Sequence, residues 1–289
     1  MASVVLSPSM PLQKPWRKVF TWERSNNSRT LRASLADGAA LLNAATYTVD
    51  TYIRSGMVVG LGSGRASGLA IEYLGRQLKD GALKDIVGIP ICRSVFSGSE
   101  AVKAGIPLNQ YQESSQIDFA FNDADIMERG TLIAIIGRRK WQDGESIIQE
   151  KSIVQGAGRL AFIVTERQYT GHIDGSVPVL VHTYNWMQTA EEIEDLFLGD
   201  AEVWRRPALG HADPLGGDFP LITRDGHNVL DLIFTSPILN PADVAERLDK
   251  IDGVVDHGIV SGMPCTAIIA SEYGLRIVDN LPKKTSRGL

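Results

Sequence analysis

Residues 57–67 read MVVGLGSGRAS, and this run decides the fold. Its first part is a short apolar stretch, typical of a buried strand, and the glycines and serines that follow favour a tight turn. Apolar residues at helical spacing lie on both sides, over 35–55 before the run and up to about Leu78 after it. A helix, a strand, a glycine-rich turn and a second helix in this order are typical of the opening of a doubly wound α/β domain.

The alternation of short apolar runs with amphipathic stretches continues through residues 34–176. It predicts a mainly parallel, Rossmann-like sheet that is covered by helices on both faces. The predicted strands are 86–89, 117–121, 132–137 and 160–165, and the predicted helices are 98–104 and 147–156.

The pattern changes after about Val177, where strands and helices are separated by a stretch rich in glycine and proline. We predict that residues 177–279 form a smaller α+β lobe that completes the fold, and that residues 280–289 form a flexible tail. The predicted strands of this part are 177–181, 229–234 and 266–270, and its predicted helices are 187–198 and 241–250.

Charge is distributed unevenly along the chain. The net charge is −5, yet residues 1–32 hold six basic residues and one acidic residue. A basic, serine-containing and acid-poor leader predicts a transit peptide over residues 1–33, and we favour the chloroplast stroma as the location. A basic arm that is never removed is the alternative. The rest of the chain is acidic and gives no indication of a nucleic-acid partner. It contains no run of about 18 apolar residues, so no membrane span is predicted.

The cysteines and histidines give no sign of a metal site. Cys92 and Cys265 have neither a metal-type spacing nor a disulfide framework, and the five histidines contain no HExxH pair. We therefore expect no metal and no organic cofactor.

The turn after the first predicted strand has the composition of an anion site. Backbone N–H groups at the start of a helix are unpaired, and the helix dipole adds partial positive charge there. The spacing is neither GxGxxG nor a Gly-Lys-Ser/Thr P-loop, which disfavours dinucleotides and nucleoside triphosphates. A turn that binds no ligand is the alternative. The candidate phosphate ligands are Gly62, Ser63, Gly64, Arg65 and Ser67.

Three blocks of sequence resemble the type A ribose-5-phosphate isomerases. Residues 60–64, GLGSG, are similar to the family's G-x-G-[ST]-G loop. Residues 223–231, TRDGHNVLD, and residues 251–258, IDGVVDHG, resemble its T-D-x-G-N-x-[IV]-[LI]-D and I-P-G-V-V-E-[HN]-G motifs. The resemblance covers about residues 36–278 and implies the family's fold for nearly all of this span.

The resemblance also implies a reaction of the non-oxidative pentose phosphate pathway. The family interconverts ribose 5-phosphate and ribulose 5-phosphate by moving a proton between C2 and C1 through an enediolate. That reaction needs a carboxylate base, donors for the enediolate oxygens and a phosphate anchor. By position, Glu150 matches the base, and Asp125 and Asn122 match residues near the sugar hydroxyls. Lys140 and Gln168 lie at or next to the positions of two family lysines.

Several of these positions depart from the family pattern. Asn122 replaces an acid and Asp123 replaces a glycine in the segment that matches D-G-A-D. One family lysine aligns with Trp141, or with Lys140 after a one-residue slip, and Gln168 replaces another. Catalytic competence is therefore the question that these substitutions raise.

Three functions follow from these observations. The leading hypothesis is a plastid aldose–ketose isomerase of ribose 5-phosphate. A noncatalytic sugar-phosphate-binding or oligomer-partner homologue is the second hypothesis, and an isomerase of another phosphosugar is the third. A small phosphosugar is the expected ligand, neither nucleic acid nor a membrane is an expected partner, and the resemblance implies a homodimer or larger assembly.

Overall fold

A computed structural model describes residues 27–91, 95–112, 115–138, 147–208 and 219–280. In chain order its elements are α1 (Asn27–Tyr52), β1 (Val58–Leu61), α2 (Arg65–Lys79), β2 (Val87–Pro90), α3 (Val95–Lys103), β3 (Phe119–Asp123), β4 (Ile126–Glu128), β5 (Ala134–Ile135), α4 (Ile147–Gly156), β6 (Leu160–Thr165), β7 (Tyr169–Thr170), β8 (Ile173–His182), a 3₁₀ turn (Thr183–Asn185), α5 (Trp186–Leu196), β9 (Ala201–Arg205), β10 (His227–Ile238), α6 (Pro241–Leu248), β11 (Val254–His257), β12 (Ile259–Val260), β13 (Cys265–Ser271) and β14 (Gly274–Asp279).

The central sheet has six strands in the order β2-β1-β3-β6-β13-β14. The first five run parallel, and β14 pairs antiparallel with β13 at the edge. The predicted mainly parallel, doubly wound sheet is confirmed. The chain moves from β1 outward to β2 and then returns to the other side of β1 as β3. The carboxyl ends of β1 and β3 therefore border the crevice in which sheets of this kind bind their ligands.

Strand β3 shows how the sheet is buried on both faces. Phe119 and Phe121 belong to the core formed with α1 and α2, whereas Ala120 between them belongs to the core formed with α4. A Cβ added at Gly60 would lie 2.8 Å from Ala120 Cβ and 3.0 Å from Ile153 Cγ2. The missing side chain at Gly60 therefore lets α4 approach the sheet closely.

A second, antiparallel sheet has the order β11-β8-β10-β9. Its longest pairing joins β8 and β10, and α5 and α6 pack against it. Val179, Val181, Leu230 and Leu232 from the two central strands are fully buried in the core beneath these helices. This sheet and its helices form the smaller α+β part of the predicted fold.

The placement predicted for strand 132–137 is wrong. The segment contains only the two-residue strand β5, which pairs antiparallel with β4 in a third sheet of order β12-β5-β4-β7. Too few residues separate β3 from β5 for a parallel crossover, which needs roughly a dozen or more. The chain turns back instead, through Gly130 and Leu132 with positive φ angles of 94° and 58°.

The strand predicted at 266–270 exists as β13, but it lies in the central sheet rather than in the lobe. It runs parallel to β6 and is buried along nearly all of its length, as expected for an interior strand of a parallel sheet. Strand β14, which was not predicted, follows it. Residues 177–279 therefore contribute strands to all three sheets.

The two ends of the chain lie mostly outside the described residues. Helix α1 begins at Asn27, so the predicted end of the transit peptide at residue 33 falls within this helix, and removal of the peptide stays a prediction. Of the predicted tail, the structure describes only Asn280. Among the helices described, none combines the length and apolar character that crossing a bilayer requires.

Candidate active site

Three segments meet at the carboxyl ends of β1 and β3. Residues 62–67 follow β1 and lead into α2, residues 122–125 end β3, and the first turn of α4 packs against the same strand. Asn122 and Asp123 both accept hydrogen bonds from residues 62–67, and Asn122 also donates to Glu150 of α4. The Ala124 carbonyl accepts from Gln168, and Asp125 accepts from the backbone of Arg138. This short run is therefore the hub of the candidate site.

Asn122 links the glycine-rich turn to Glu150. Its side-chain Nδ2 donates to Glu150 Oε1 at 2.7 Å, and its Oδ1 accepts from the backbone N–H of Ser63 at 3.1 Å. Asn122 is fully buried and Glu150, in the first turn of α4, is only 5% exposed. An aspartate could not donate the first of these bonds, so the amide is suited to hold a carboxylate in place.

Asp123 occupies the N-terminus of α2. Its Oδ2 accepts from the backbone N–H of Ala66 at 2.9 Å. Its Oδ1 accepts from the backbone N–H of Ser67 at 2.8 Å and from Ser67 Oγ at 2.6 Å. Gly64 is the N-cap residue and has no side chain to cap the helix, so a carboxylate from β3 performs this role. The turn expected to hold a phosphate thus binds the chain's own carboxylate.

Asp125 and Gln168 hold the backbone around the hub. Asp125 Oδ2 accepts from the backbone N–H of Arg138 at 2.8 Å. Gln168 Oε1 accepts from both the backbone N–H and the hydroxyl of Thr165 at 2.8 Å, and its Nε2 donates to the Ala124 carbonyl at 2.6 Å. The partners in these contacts are backbone groups and the Thr165 hydroxyl of the protein itself. Contact of Asp125 or Gln168 with a sugar phosphate stays a prediction.

The remaining predicted phosphate ligands lie apart from the hub or outside the description. Arg65 is exposed, and its Nη2 would lie 3.1 Å from a Cβ added at Gly38 of α1, so the guanidinium rests against that helix. Lys140 and Trp141 lie outside the described residues. Which of the two takes the place of the family lysine stays a prediction.

A buried ion pair beside Glu150 was not predicted. Lys151 Nζ lies 2.5 Å from Asp256 Oδ1, and the two side chains are only 10% and 18% exposed. The pair fastens the start of α4 to β11. Asp256 stands in the family-like block 251–258 and Lys151 directly follows Glu150, but no local pattern indicates that they pair.

His257, next to this pair, is held neutral. It is 2% exposed, and its Nδ1 accepts from the backbone N–H of Ile259 at 3.2 Å. Burial first, and then the positive charge of Lys151, lower the pKa of His257 to about 4. Its Nε2 lies 3.1 Å from Asp249 Oδ1, but without hydrogen-bond geometry. An imidazole in these surroundings is neutral at physiological pH.

The described residues contain no cluster of three or more histidine, cysteine, aspartate or glutamate side chains arranged to hold a metal ion. The chemical groups that the hub does offer are a buried carboxylate, an amide, hydroxyls and the N-terminus of a helix. A doubly wound sheet with such groups at its β1/β3 edge defines the class of α/β proteins that bind small polar or anionic ligands.

Comparison with known proteins places the chain within that class. The family model described as ribose 5-phosphate isomerase A (phosphoriboisomerase A) matches residues 89–274. The chain belongs to this family. A ribose-5-phosphate isomerase A from a Synechococcus species is 33% identical over 243 residues, which span 83% of this chain and 97% of the relative. An Arabidopsis thaliana relative named probable ribose-5-phosphate isomerase 3, chloroplastic, is 29% identical over 232 residues, which span 78% of both chains.

Solved structures agree with this assignment. Ribose 5-phosphate isomerase from Plasmodium falciparum superposes with a TM-score of 0.73 at 27% identity, over 85% of this chain and all of that chain. A D-ribose-5-phosphate isomerase in complex with phospho-erythronic acid superposes with a TM-score of 0.72 at 29% identity, over 83% of this chain and 98% of that chain.

Proposed function

We propose that the chain is an aldose–ketose isomerase that interconverts ribose 5-phosphate and ribulose 5-phosphate. The observation that carries this proposal is the buried Glu150 carboxylate, held by the Asn122 amide at the β1/β3 edge of a family fold. Relatives named for this activity align over most of their length, which supports the same substrate here.

Glu150 is the proposed base. The isomerisation removes a proton from one of the carbons C2 and C1 and returns it to the other, so a single carboxylate can serve both steps. The hydrogen bond from Asn122 fixes one Glu150 oxygen in position. Placement of α4 by the close contact at Gly60 keeps this base near the strand ends.

The other groups have supporting roles in the proposal. Asn122 and Asp125 lie in the run that borders the crevice, and they would face the sugar hydroxyls and the enediolate oxygens. Ser63, Gly64 and Ser67, with Arg65, Lys140 and Gln168 around them, are the proposed surroundings of the phosphate. No metal or organic cofactor is part of the proposed reaction.

Glu150→Gln is the direct test. The substitution keeps the size of the side chain and its bond from Asn122 but removes the base, so kcat should fall by about 10²- to 10⁴-fold. Glu128→Gln is the matched control, because Glu128 at the end of β4 is also buried but its Oε2 accepts from the Thr131 hydroxyl in the following turn. Ribose 5-phosphate turnover by Glu150→Gln at the wild-type rate would disprove the assignment of the base.

A noncatalytic sugar-phosphate-binding or oligomer-partner homologue is the second candidate. It is favoured by Asp123, whose carboxylate takes the donors at the start of α2. Turnover by the purified mature chain above that of Glu150→Gln would exclude it. An isomerase of another phosphosugar is distinguished by thermal stabilisation against a panel of phosphosugars, since a ligand that binds the folded state raises its stability.

Location and assembly are separate proposals. We propose that residues 1–33 direct the chain to the chloroplast stroma, which the basic leader and the chloroplastic Arabidopsis relative support. A fluorescent protein fused to residues 1–33 should enter plastids, and a fusion that stays outside them would refute this. We also propose a homodimer or larger assembly, which light scattering on the purified chain would measure.

A further inference from the structure

The N-terminus of α2 already holds an anion, the carboxylate of Asp123. Three donors converge on its two oxygens, namely the backbone N–H groups of Ala66 and Ser67 and the hydroxyl of Ser67. Ser67 is fully buried, so its hydroxyl is held in place for this contact. A phosphate would use the same three hydrogen-bond donors. It would also be attracted by the positive end of the helix dipole.

The geometry of the turn is built for the approach of this carboxylate. Gly64 has a φ of 123°, and a Cβ added there would collide with the Asp123 side chain. Asp123 itself is the last residue of β3 and pairs in register with Ile163 of β6. The positive-φ residues other than glycine in the described chain are Asp85 and Leu132, so Asp123 carries an ordinary strand backbone. The sheet fixes its backbone, and side-chain rotation alone can move its carboxylate.

We propose that Asp123 is a specificity-determining residue, an internal anion that competes with the substrate phosphate for the N-terminus of α2. A phosphate bound to the same donors would meet a like charge at contact distance, so Asp123 must swing away or the phosphate must bind less tightly. The identity of the substrate rests on the proposed function, but the competition between Asp123 and a phosphate for the same donors does not. Phosphorylated and unphosphorylated pentoses should therefore be discriminated poorly by the wild-type chain.

Binding of inorganic phosphate and of ribose 5-phosphate to the full mature chain tests this proposal. Three variants are compared with wild type by calorimetry and thermal unfolding. Asp123→Gly removes the carboxylate, Asp123→Asn removes its charge but keeps an oxygen acceptor, and Asp118→Asn is the matched control. Asp118 lies at the opposite end of β3, where its Oδ2 accepts from the backbone N–H of Val58.

We expect Asp123→Gly to bind inorganic phosphate at least about tenfold more tightly than wild type, and Asp123→Asn to lie between them. Asp123→Gly should also unfold at a lower temperature without phosphate, because α2 loses its cap, and regain stability when phosphate is added. Asp118→Asn should bind phosphate as wild type does. With ribose 5-phosphate the gain should appear as a lower KM, with no such gain for unphosphorylated ribose.

The proposal is overturned if neither Asp123 variant binds inorganic phosphate more tightly than wild type, or if both bind it less tightly. If Asp123→Gly does not fold, the charge-neutral Asp123→Asn decides the matter. Failure of the proposed isomerase activity is distinguishable, because phosphate binding is measured without turnover and activity is measured with Asp123 intact.

Discussion

The two carboxylates at the end of β3 have different surroundings. Glu150 extends from α4 to residues 122–125 and accepts a hydrogen bond from the neutral amide of Asn122. The contact therefore involves no repulsion between like charges. Asp123 reaches the turn after β1 and takes three donors that would suit a phosphate. The half of the site proposed to transfer the proton thus keeps its carboxylate, whereas the donors proposed to anchor the substrate phosphate are occupied. Catalysis and anchoring are therefore expected to respond to different substitutions.

Asn122→Asp should break this contrast most strongly. A second carboxylate at the same place could not donate the 2.7 Å bond that fixes Glu150, and the pair would share a proton that lies on Glu150 in part of the molecules. The base would then be both less well positioned and partly protonated at neutral pH. We expect kcat at pH 7 to fall by about 10²-fold and to recover partly as the pH is raised. Initial rates from pH 6 to 10 measure this effect, and a pH profile identical to wild type would show that Asn122 does not govern the base.

Lys151→Met tests what holds the base in position. Loss of the lysine leaves Asp256 charged and mostly buried, so the free energy of unfolding should fall by about 2 kcal/mol. The matched control is Lys250→Met, which breaks the exposed pair with Glu246 and should leave stability nearly unchanged. Urea unfolding followed by circular dichroism gives both values, and equal losses in the two variants would contradict the role given to burial.

His257 makes the same region sensitive to acid. Its pKa is about 4 in the folded chain, against an ordinary value of 6.5, so the unfolded chain binds the proton more tightly. Stability is therefore full above pH 6.5, declines as the pH falls below it, and is lowered by about 1 to 2 kcal/mol at pH 5. His257→Gln should flatten this part of the profile, whereas substitution of the exposed His172 should leave it unchanged. If His257→Gln leaves the dependence of stability on pH unchanged, protonation of His257 is not the cause of the loss in acid.

The smallest expected effect concerns Cys265 of β13, whose side chain is buried. Burial, followed by the negative charge of Asp279, raises the pKa of its thiol to about 11. In a Cys92→Ser background, a thiol reagent at pH 8 should label the folded chain far more slowly than the urea-unfolded chain. Fast labelling of the folded chain would show that the core around β13 opens readily.

Much of the fold was predictable because it is encoded locally. Helix α4 was predicted at its observed bounds, and the strand–turn–helix at residues 57–67 correctly indicated a doubly wound sheet. The sheet to which each strand belongs was harder to predict from the sequence. Strand β5 is too short and too near β3 for a parallel crossover, and β13 joins a sheet whose other parallel strands lie far earlier in the chain.

The candidate site was also predictable only in part. Asn122, Asp125 and Glu150 are predicted as site residues from motifs, and the structure joins Asn122 to Glu150 by a hydrogen bond. The role of Asp123 was not predictable, since a substitution of glycine by aspartate in a turn does not reveal which donors the new carboxylate will reach. The contact with residues 66 and 67 joins the end of β3 to the start of α2, and it exists only in the folded chain.

The steady-state kinetics of Glu150→Gln and Asp123→Asn with ribose 5-phosphate, measured side by side with wild type, test the contrast most directly. The structure predicts that Glu150→Gln loses kcat by about 10²- to 10⁴-fold, while Asp123→Asn lowers KM. An unchanged kcat in Glu150→Gln, or a higher KM in Asp123→Asn, would contradict the division between an intact base and an occupied anchor.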